Sequence, residues 1–258
     1  MKTYFVMLLV LFVGVSGCIR SSGSIKRDYD SSGMDSNEVD LRLNLVESHI
    51  NNRQPQFALQ ELMKVEGAAN HLARFHFDAG HIYLQLDERE KAHSSFAKAV
   101  NIDSDFGEGW NNLGKVSEML NRMQDAENAY RKALSILTYA TPEFPTYNLA
   151  SLYLKTNRPK EAEEYARKAI TRNWRYTPAY KLLADALDAQ NRMTDAEEVL
   201  RRGLEGDLNN NVLALALAEH QVKAGKNAEA RLLFEQIIKQ SPRSNEAKVA
   251  KDYLGFLQ

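Results

Sequence analysis

One residue type recurs down this chain at the interval of a helical hairpin. Alanine stands at Ala58, Ala92, Ala126, Ala162, Ala196 and Ala230, separated by 34, 34, 36, 34 and 34 residues. A recurrence held in phase over six copies restricts the chain to an array of equivalent units, each of which buries its apolar face against its neighbours. With only six prolines and thirteen glycines, and no strongly alternating β-branched runs, the units read as helical. The alanine has a steric reason. Where the two helices of a hairpin cross, their backbones come close, so both sides of the crossing must be small. The partner sites on the first helices are Val46, Gly80, Gly114, Ala150, Ala184 and Ala218, small in all but the first. Four residues beyond each alanine come Leu62, Phe96, Tyr130, Ala166, Leu200 and Phe234, side chains expected to reach the next hairpin. Between the helices, Asp87, Asn121, Asn157, Asn191 and Gly225 are residue types that tolerate a left-handed backbone, and Asn52 stands one residue early in the first copy.

The stretch from Trp110 to Leu134 gives the unit its character. Trp110, Leu113 and Gly114 keep a W-x2-L-G spacing, and Ala126 and Tyr130 an A-x3-F spacing, so the chain resembles the tetratricopeptide (TPR) repeat. The resemblance implies an all-α superhelical solenoid over 38–258, with six helix-turn-helix repeats starting near 39, 73, 107, 143, 177 and 211. A C-terminal capping helix is expected over 245–257, where Ala247, Ala250, Tyr253, Leu254 and Leu257 form one apolar stripe. The period breaks once, between the third and fourth repeats, where two extra residues accompany Pro142 and Pro145. These prolines end one helix and stiffen the approach to the next.

The first 37 residues have a different character. Lys2 precedes an apolar run from Tyr4 to Val13, too short for the roughly 20 residues of a membrane-spanning helix. The run closes on Val15-Ser16-Gly17-Cys18, which resembles a bacterial lipobox. That resemblance implies a lipoprotein signal peptide over 1–17 and acylation of Cys18. Cys18 is the only cysteine, so no intramolecular disulfide competes for it. Ile19, where enteric inner-membrane lipoproteins carry Asp, implies a lipid-anchored protein on the periplasmic side of the outer membrane. The rest of 18–37 is rich in Ser, Gly and charge, a composition that buries too little apolar surface to order and reads as a flexible tether.

No catalytic constellation emerges, and the chain reads as a non-enzyme that takes no cofactor and no metal. His76 and His81 are five residues apart, about 140° around a helix, so they do not share a face as an HExxH pair does. His76 holds the repeat position of Trp110 and Tyr180, which predicts packing. No phosphate-cradling glycine loop is present, and a formal net charge of −1 argues against nucleic acid as a partner. Binding of protein is what remains. By TPR resemblance the first helices line a concave face, here including Phe77, His81, Leu84, Gln85, Asn111, Lys115, Glu118, Met119, Tyr147, Ser151, Leu154 and Lys155. The mixture suits an extended or amphipathic peptide. The clamp for a C-terminal carboxylate needs Lys at the fifth and Asn at the ninth repeat position; the fifth repeat pairs Lys181 with Asp185, and no repeat has both. Tyr139, Phe144 and Tyr147 near the insertion, with Trp174 and Tyr176 in the next inter-repeat turn, either anchor a partner or fill the gap the insertion opens.

Lipobox, tether and six repeats together resemble the type IV pilus pilotins, the PilF/PilW/Tgl group of outer-membrane TPR lipoproteins. The most specific likeness is the phase-breaking segment Tyr139-Ala140-Thr141-Pro142-Glu143, followed by Asn148-Leu149-Ala150 and Tyr153; a similar Y-x-x-P-E segment before an N-L-G/A helix occurs in that group. This implies a non-catalytic assembly factor that helps a pilus secretin reach the outer membrane and multimerise. The alternative is an outer-membrane TPR adaptor for peptidoglycan enzymes, proteases or β-barrel assembly.

Overall fold

The computed structural model describes residues 33–257. The expected signal peptide, Cys18 and most of the stretch expected as tether lie outside the described residues. The described chain folds into six helical hairpins in sequence: α1 (Ser36–Asn51) with α2 (Pro55–Lys64), α4 (Ala73–Gln85) with α5 (Arg89–Ile102), and α6 (Gly107–Met119) with α7 (Met123–Ser135). These are followed by α8 (Glu143–Lys155) with α9 (Pro159–Arg172), α10 (Pro178–Asp188) with α11 (Met193–Gly206), and α12 (Asn211–Lys223) with α13 (Asn227–Gln240). A single turn, α3 (Glu66–Ala69), links the first two hairpins, and α14 (Asn245–Phe256) closes the array. Helix α1 starts inside the stretch expected as tether, because the Asp35 carboxylate accepts the Glu38 N–H at 2.8 Å and so satisfies one of the helix's open donors. Tyr253 of α14 stacks on Phe234 with ring centroids 5.0 Å apart, covering the last repeat.

Every hairpin turns in the same way. The left-handed residues are Arg53, Asp87, Asn121, Asn157, Asn191 and Gly225, with φ between 55° and 75°. The following N–H reaches back five residues in each copy, as in Glu88 N to Tyr83 O and Arg158 N to Tyr153 O, both 2.8 Å, the bond pattern that closes a helix with a left-handed residue. In the first repeat Arg53, not Asn52, takes this conformation; Asn52 has φ −84°. The hairpin geometry fixes the position, and Arg53 bears a local cost of about 1 kcal/mol that Asn or Gly would reduce.

The six periodic alanines are all fully buried. At the crossings of the second and third hairpins, a Cβ on Gly80 would lie 2.5 Å from the Phe96 ring, and one on Gly114 would lie 2.5 Å from Tyr130. These aromatic rings therefore reach back across their own hairpin as well as forward. Phe96 joins Leu113 and Val116 of the next repeat in one core cluster. In the fourth and fifth repeats the trade runs the other way: Ala150 and Ala184 are paired with the smaller Ala166 and Leu200, keeping the volume of the crossing filled.

A ladder of shared charges stitches the second helices together. Arg158, Arg192 and Lys226, each next to a hairpin turn, contact Glu127, Glu163 and Glu197 of the preceding repeat at 2.9, 2.8 and 2.8 Å. Each glutamate is also paired with the arginine four residues on, Arg131, Arg167 or Arg201. Burial pushes the Glu127 and Glu163 carboxyls up, but hydrogen bonds from Tyr153, Arg131 and Arg158, and from Gln190, Arg167 and Arg192, outweigh it and hold both below the ordinary value. The Lys226 bond leads the lowering of Glu197. One repeat earlier the equivalent position is His93, and Arg122 bonds Glu90 instead at 2.8 Å.

Candidate functional site

The first helices α1, α4, α6, α8, α10 and α12 share one face, and three cavities follow one another along it. The N-terminal chamber, about 380 Å³, lies between α1, α4 and α6. The central chamber, about 730 Å³, runs from His81 and Asn111 to Tyr139, Asn148 and Tyr176. The C-terminal chamber, about 470 Å³, has Tyr147, Ser151, Leu154, Lys181, Leu182 and Leu213 among its walls. Together they make an interrupted groove along the whole solenoid, the concave shape in which polypeptide segments are held.

Aromatic side chains from the inter-repeat turns divide the chambers. Phe106 stands 4.7 Å from Phe77 and borders the first two cavities. Tyr176 packs edge-on against Phe144 at 5.5 Å and Tyr147 at 5.3 Å between the second and third. Phe106 and Tyr176 hold equivalent repeat positions, each one residue before a repeat start. Tyr139, carried in by the insertion, lies on the glycine surface of Gly107, where a Cβ would meet its ring at 2.6 Å. The junction aromatics are thus gap-filling and groove-lining at once.

The floor changes chemistry along its length. In the central chamber Asn148 Nδ2 donates to Asn111 Oδ1 at 2.9 Å, Asn112 is also buried, and Lys115 is exposed beside them. Carboxamides and an ammonium can bond a backbone in any sequence. In the C-terminal chamber the cations are already engaged: Lys155 donates to Glu118 at 2.7 Å and Lys181 to Asp185 at 2.8 Å. Leu154, Leu182, Val212 and Leu213 supply apolar contact there. His81 is held down to about 4 by burial and by the Lys115 charge, so it is a neutral ring at neutral pH, packed 4.6 Å from Phe77.

Of the residues singled out by sequence, Phe77, His81, Asn111, Lys115, Tyr139, Phe144, Tyr147, Ser151, Lys155 and Tyr176 line the chambers. Three do not. Leu84 packs half-buried against the core between the second and third repeats. Met119, at the end of α6, is exposed and borders none of the three cavities. Trp174 lies on the other side of the solenoid, beside Arg167, Ile170 and Arg202 of α9 and α11, with the Arg175 guanidinium 4.8 Å from its ring. The Asn173 side chain accepts the Arg175 N–H at 3.1 Å and its carbonyl accepts the Tyr176 N–H at 3.0 Å. This tight turn sends Trp174 outward and Tyr176 inward. Sequence reading missed Phe106 and Asp78 and named Asn148 only within the junction motif, not as a groove residue; the repeat equivalence of Phe106 and Tyr176 was the available signal for the first. His76 behaves as its repeat position predicts: its ring bonds Asn70 O at 2.8 Å, as Trp110 bonds Ser104 O at 2.9 Å. Among the described residues no group of three or more His, Cys, Asp or Glu is placed to hold a metal ion, and no helix is long and apolar enough to cross a membrane.

Sequence and fold comparisons agree with this architecture. Tetratricopeptide-repeat patterns match residues 73–106, 107–136 and 147–210. A curated relative, the protein O-mannosyl-transferase TMTC3 of Homo sapiens, is 27% identical over 180 residues, covering 64% of this chain and 20% of that protein. The chain thus spans about a fifth of the length of that relative. The fold is similar to that of PilW, a widely conserved type IV pilus biogenesis factor, with a TM-score of 0.72 at 21% identity over 82% of this chain and 97% of that one. PilF of Pseudomonas aeruginosa gives 0.70 at 19% identity over 84% and 98%.

Proposed function

Taking as premise that this chain is a tetratricopeptide-repeat solenoid, a protein-binding scaffold whose fold resembles pilus biogenesis factors, we propose that it is a non-catalytic pilotin. In this reading the groove takes an extended segment of a pilus secretin subunit and promotes its localisation and multimerisation at the outer membrane. The observation that carries it is the run of three chambers along the first helices, alternating aromatic dividers with amide and apolar floors. Such a surface suits a strand gripped at several points.

Anchoring belongs to the same proposal. Acylation of Cys18 would confine the groove to the periplasmic face of the outer membrane, and confinement raises effective concentration, so a modest affinity suffices. The test is a gel of unboiled membranes, probed for the pilus secretin, from cells with and without the gene. Loss of the heat-resistant multimer with monomer still made is the expected result. An unchanged multimer in the outer membrane would overturn the pilotin reading and favour the adaptor for other envelope machinery.

A further inference from the structure

The N-terminal chamber differs from the other two in holding a buried carboxylate with one oxygen left without a hydrogen bond. Asp78, on α4, is 5% exposed, and no hydrogen bond reaches its Oδ2. Arg74, one turn earlier, approaches to only 3.9 Å, because its Nη2 is committed to Asn44 at 2.7 Å and Glu47 at 3.1 Å. Two further carboxylates line the cavity, Glu47 from α1, which Arg74 bonds, and Glu108 from α6, together with the rings of Phe77 and Phe106 and the uncharged imidazole of His81. A buried carboxylate oxygen held only by a long ion pair, with no hydrogen bond, is costly, and a ligand can supply the missing donor.

We propose that this chamber is a receptor for one basic side chain, an arginine or lysine, of the segment that lies in the groove. The complementarity is of two kinds. Carboxylates of α1, α4 and α6 line one cavity in which the single cation, Arg74, is bonded to Glu47 and stands 3.9 Å from Asp78, and a guanidinium or ammonium placed there gains a charge-assisted bond to Asp78. The rings of Phe77 and Phe106 line the same cavity, and a cation that meets a ring face there is attracted to it. Burial lifts the Asp78 carboxyl to about 7, partly offset by Arg74 and reinforced by Glu47, so a bound cation would return it to the ionised form. The inference rests on the groove holding a protein segment; it does not require that segment to be a secretin's.

The test uses the full chain with N-acetyl-arginine methylamide as probe and the neutral N-acetyl-norleucine methylamide as control, followed by NMR of the Asp78 carboxyl carbon and the Phe77 and Phe106 rings. The arginine probe should bind saturably, shift those signals, and move the Asp78 midpoint down by at least about one pH unit, equivalent to about tenfold in affinity. Below the free midpoint the affinity should fall with pH, since binding then requires loss of a proton. Asp78→Asn should weaken the probe about tenfold or more and abolish the pH dependence between 5.5 and 7. Should that variant fold poorly, the surface pair Glu47→Gln and Glu108→Gln serves, with several-fold weakening expected. Equal binding of the two probes, or an unmoved Asp78 midpoint, overturns the proposal. The secretin gel reads out separately, so a chain that binds the arginine probe without affecting any secretin keeps this subsite and loses only the pilotin reading.

Discussion

Glu163 and Asp78 are both carboxylates with side chains largely shielded from water, at 16% and 7% exposure, and the molecule treats them oppositely. Glu163 sits in the ladder between second helices with Arg167, Arg192 and Gln190 bonded to it and titrates below its ordinary range. Asp78 sits on the first-helix face with an unmet oxygen and titrates well above it. The outer edge of the solenoid settles its charges internally and so fixes how one repeat sits on the next. The inner face leaves chemistry unsatisfied where a partner can reach it. A repeat array can separate holding itself together from holding something else because each helix of the hairpin serves one task.

The contrast can be broken at its root. Gly114→Val places a branched side chain where the buried Tyr130 ring already stands 2.5 Å from a Cβ position, and Tyr130 is further pinned by its 2.6 Å bond to Glu118. The expected cost is about 3 kcal/mol, read as a lowered urea midpoint, with edge and groove lost together. Asp78→Asn comes next and should stabilise. The raised folded-state value means the wild-type carboxyl contributes fully below its unfolded value of 3.8 and loses that contribution as pH rises through about 7. The variant should therefore gain on the order of 2 kcal/mol over wild type at pH 8, with the gap closing toward pH 4; urea midpoints across that range decide it.

A smaller effect should sharpen the comparison from the other side. Glu163→Ala removes a carboxylate shared by two repeats, yet its arginine partners are 42–49% exposed and can return to solvent, so about 1 kcal/mol is expected. The lowered values of Glu127, Glu163 and Glu197 place their contribution above the ordinary carboxylate range and its loss as pH falls through the depressed values. Thermal melts should thus drop at acid pH in wild type and drop less in the variant, while the secretin multimer is retained. The smallest change in stability belongs to Lys115→Ala, within about 0.5 kcal/mol because the side chain is exposed. In the gel assay that same variant should weaken the multimer if the central chamber grips the segment.

The fold was legible in the sequence because its determinants are local and repeated. The alanine phase, the small partner at the crossing and the turn residues each recur, so an error in one copy is corrected by the others. Where a copy departs from the pattern, reading failed: Asn52 looked like the turn residue because of its type, while geometry assigned the turn to Arg53. The groove was half legible. Positions on a regular helix, such as Asn111, Lys115 and Ser151, follow from periodicity. Directions out of a turn do not, which is why Trp174 was placed with Tyr176 although Asn173 folds the chain between them. Asp78 could not be found by pattern at all, because an unmet oxygen is a property of what three helices fail to bring to one point.

The helix pairs in substantial contact all belong to the same hairpin or to adjacent ones, the last hairpin and its cap included. Among the described residues no helix pair in substantial contact joins the first repeat to the last, so a small rotation at each interface would add up along the row, as in the coils of a spring. The shared carboxylates then act as the stiffness of its coils. Glu127, Glu163 and Glu197 supply it in the later repeats, and between the second and third, where His93 takes the rung, the Arg122–Glu90 pair at 2.8 Å supplies it from one turn earlier. A segment seated along all three chambers would be felt at one end when pulled at the other.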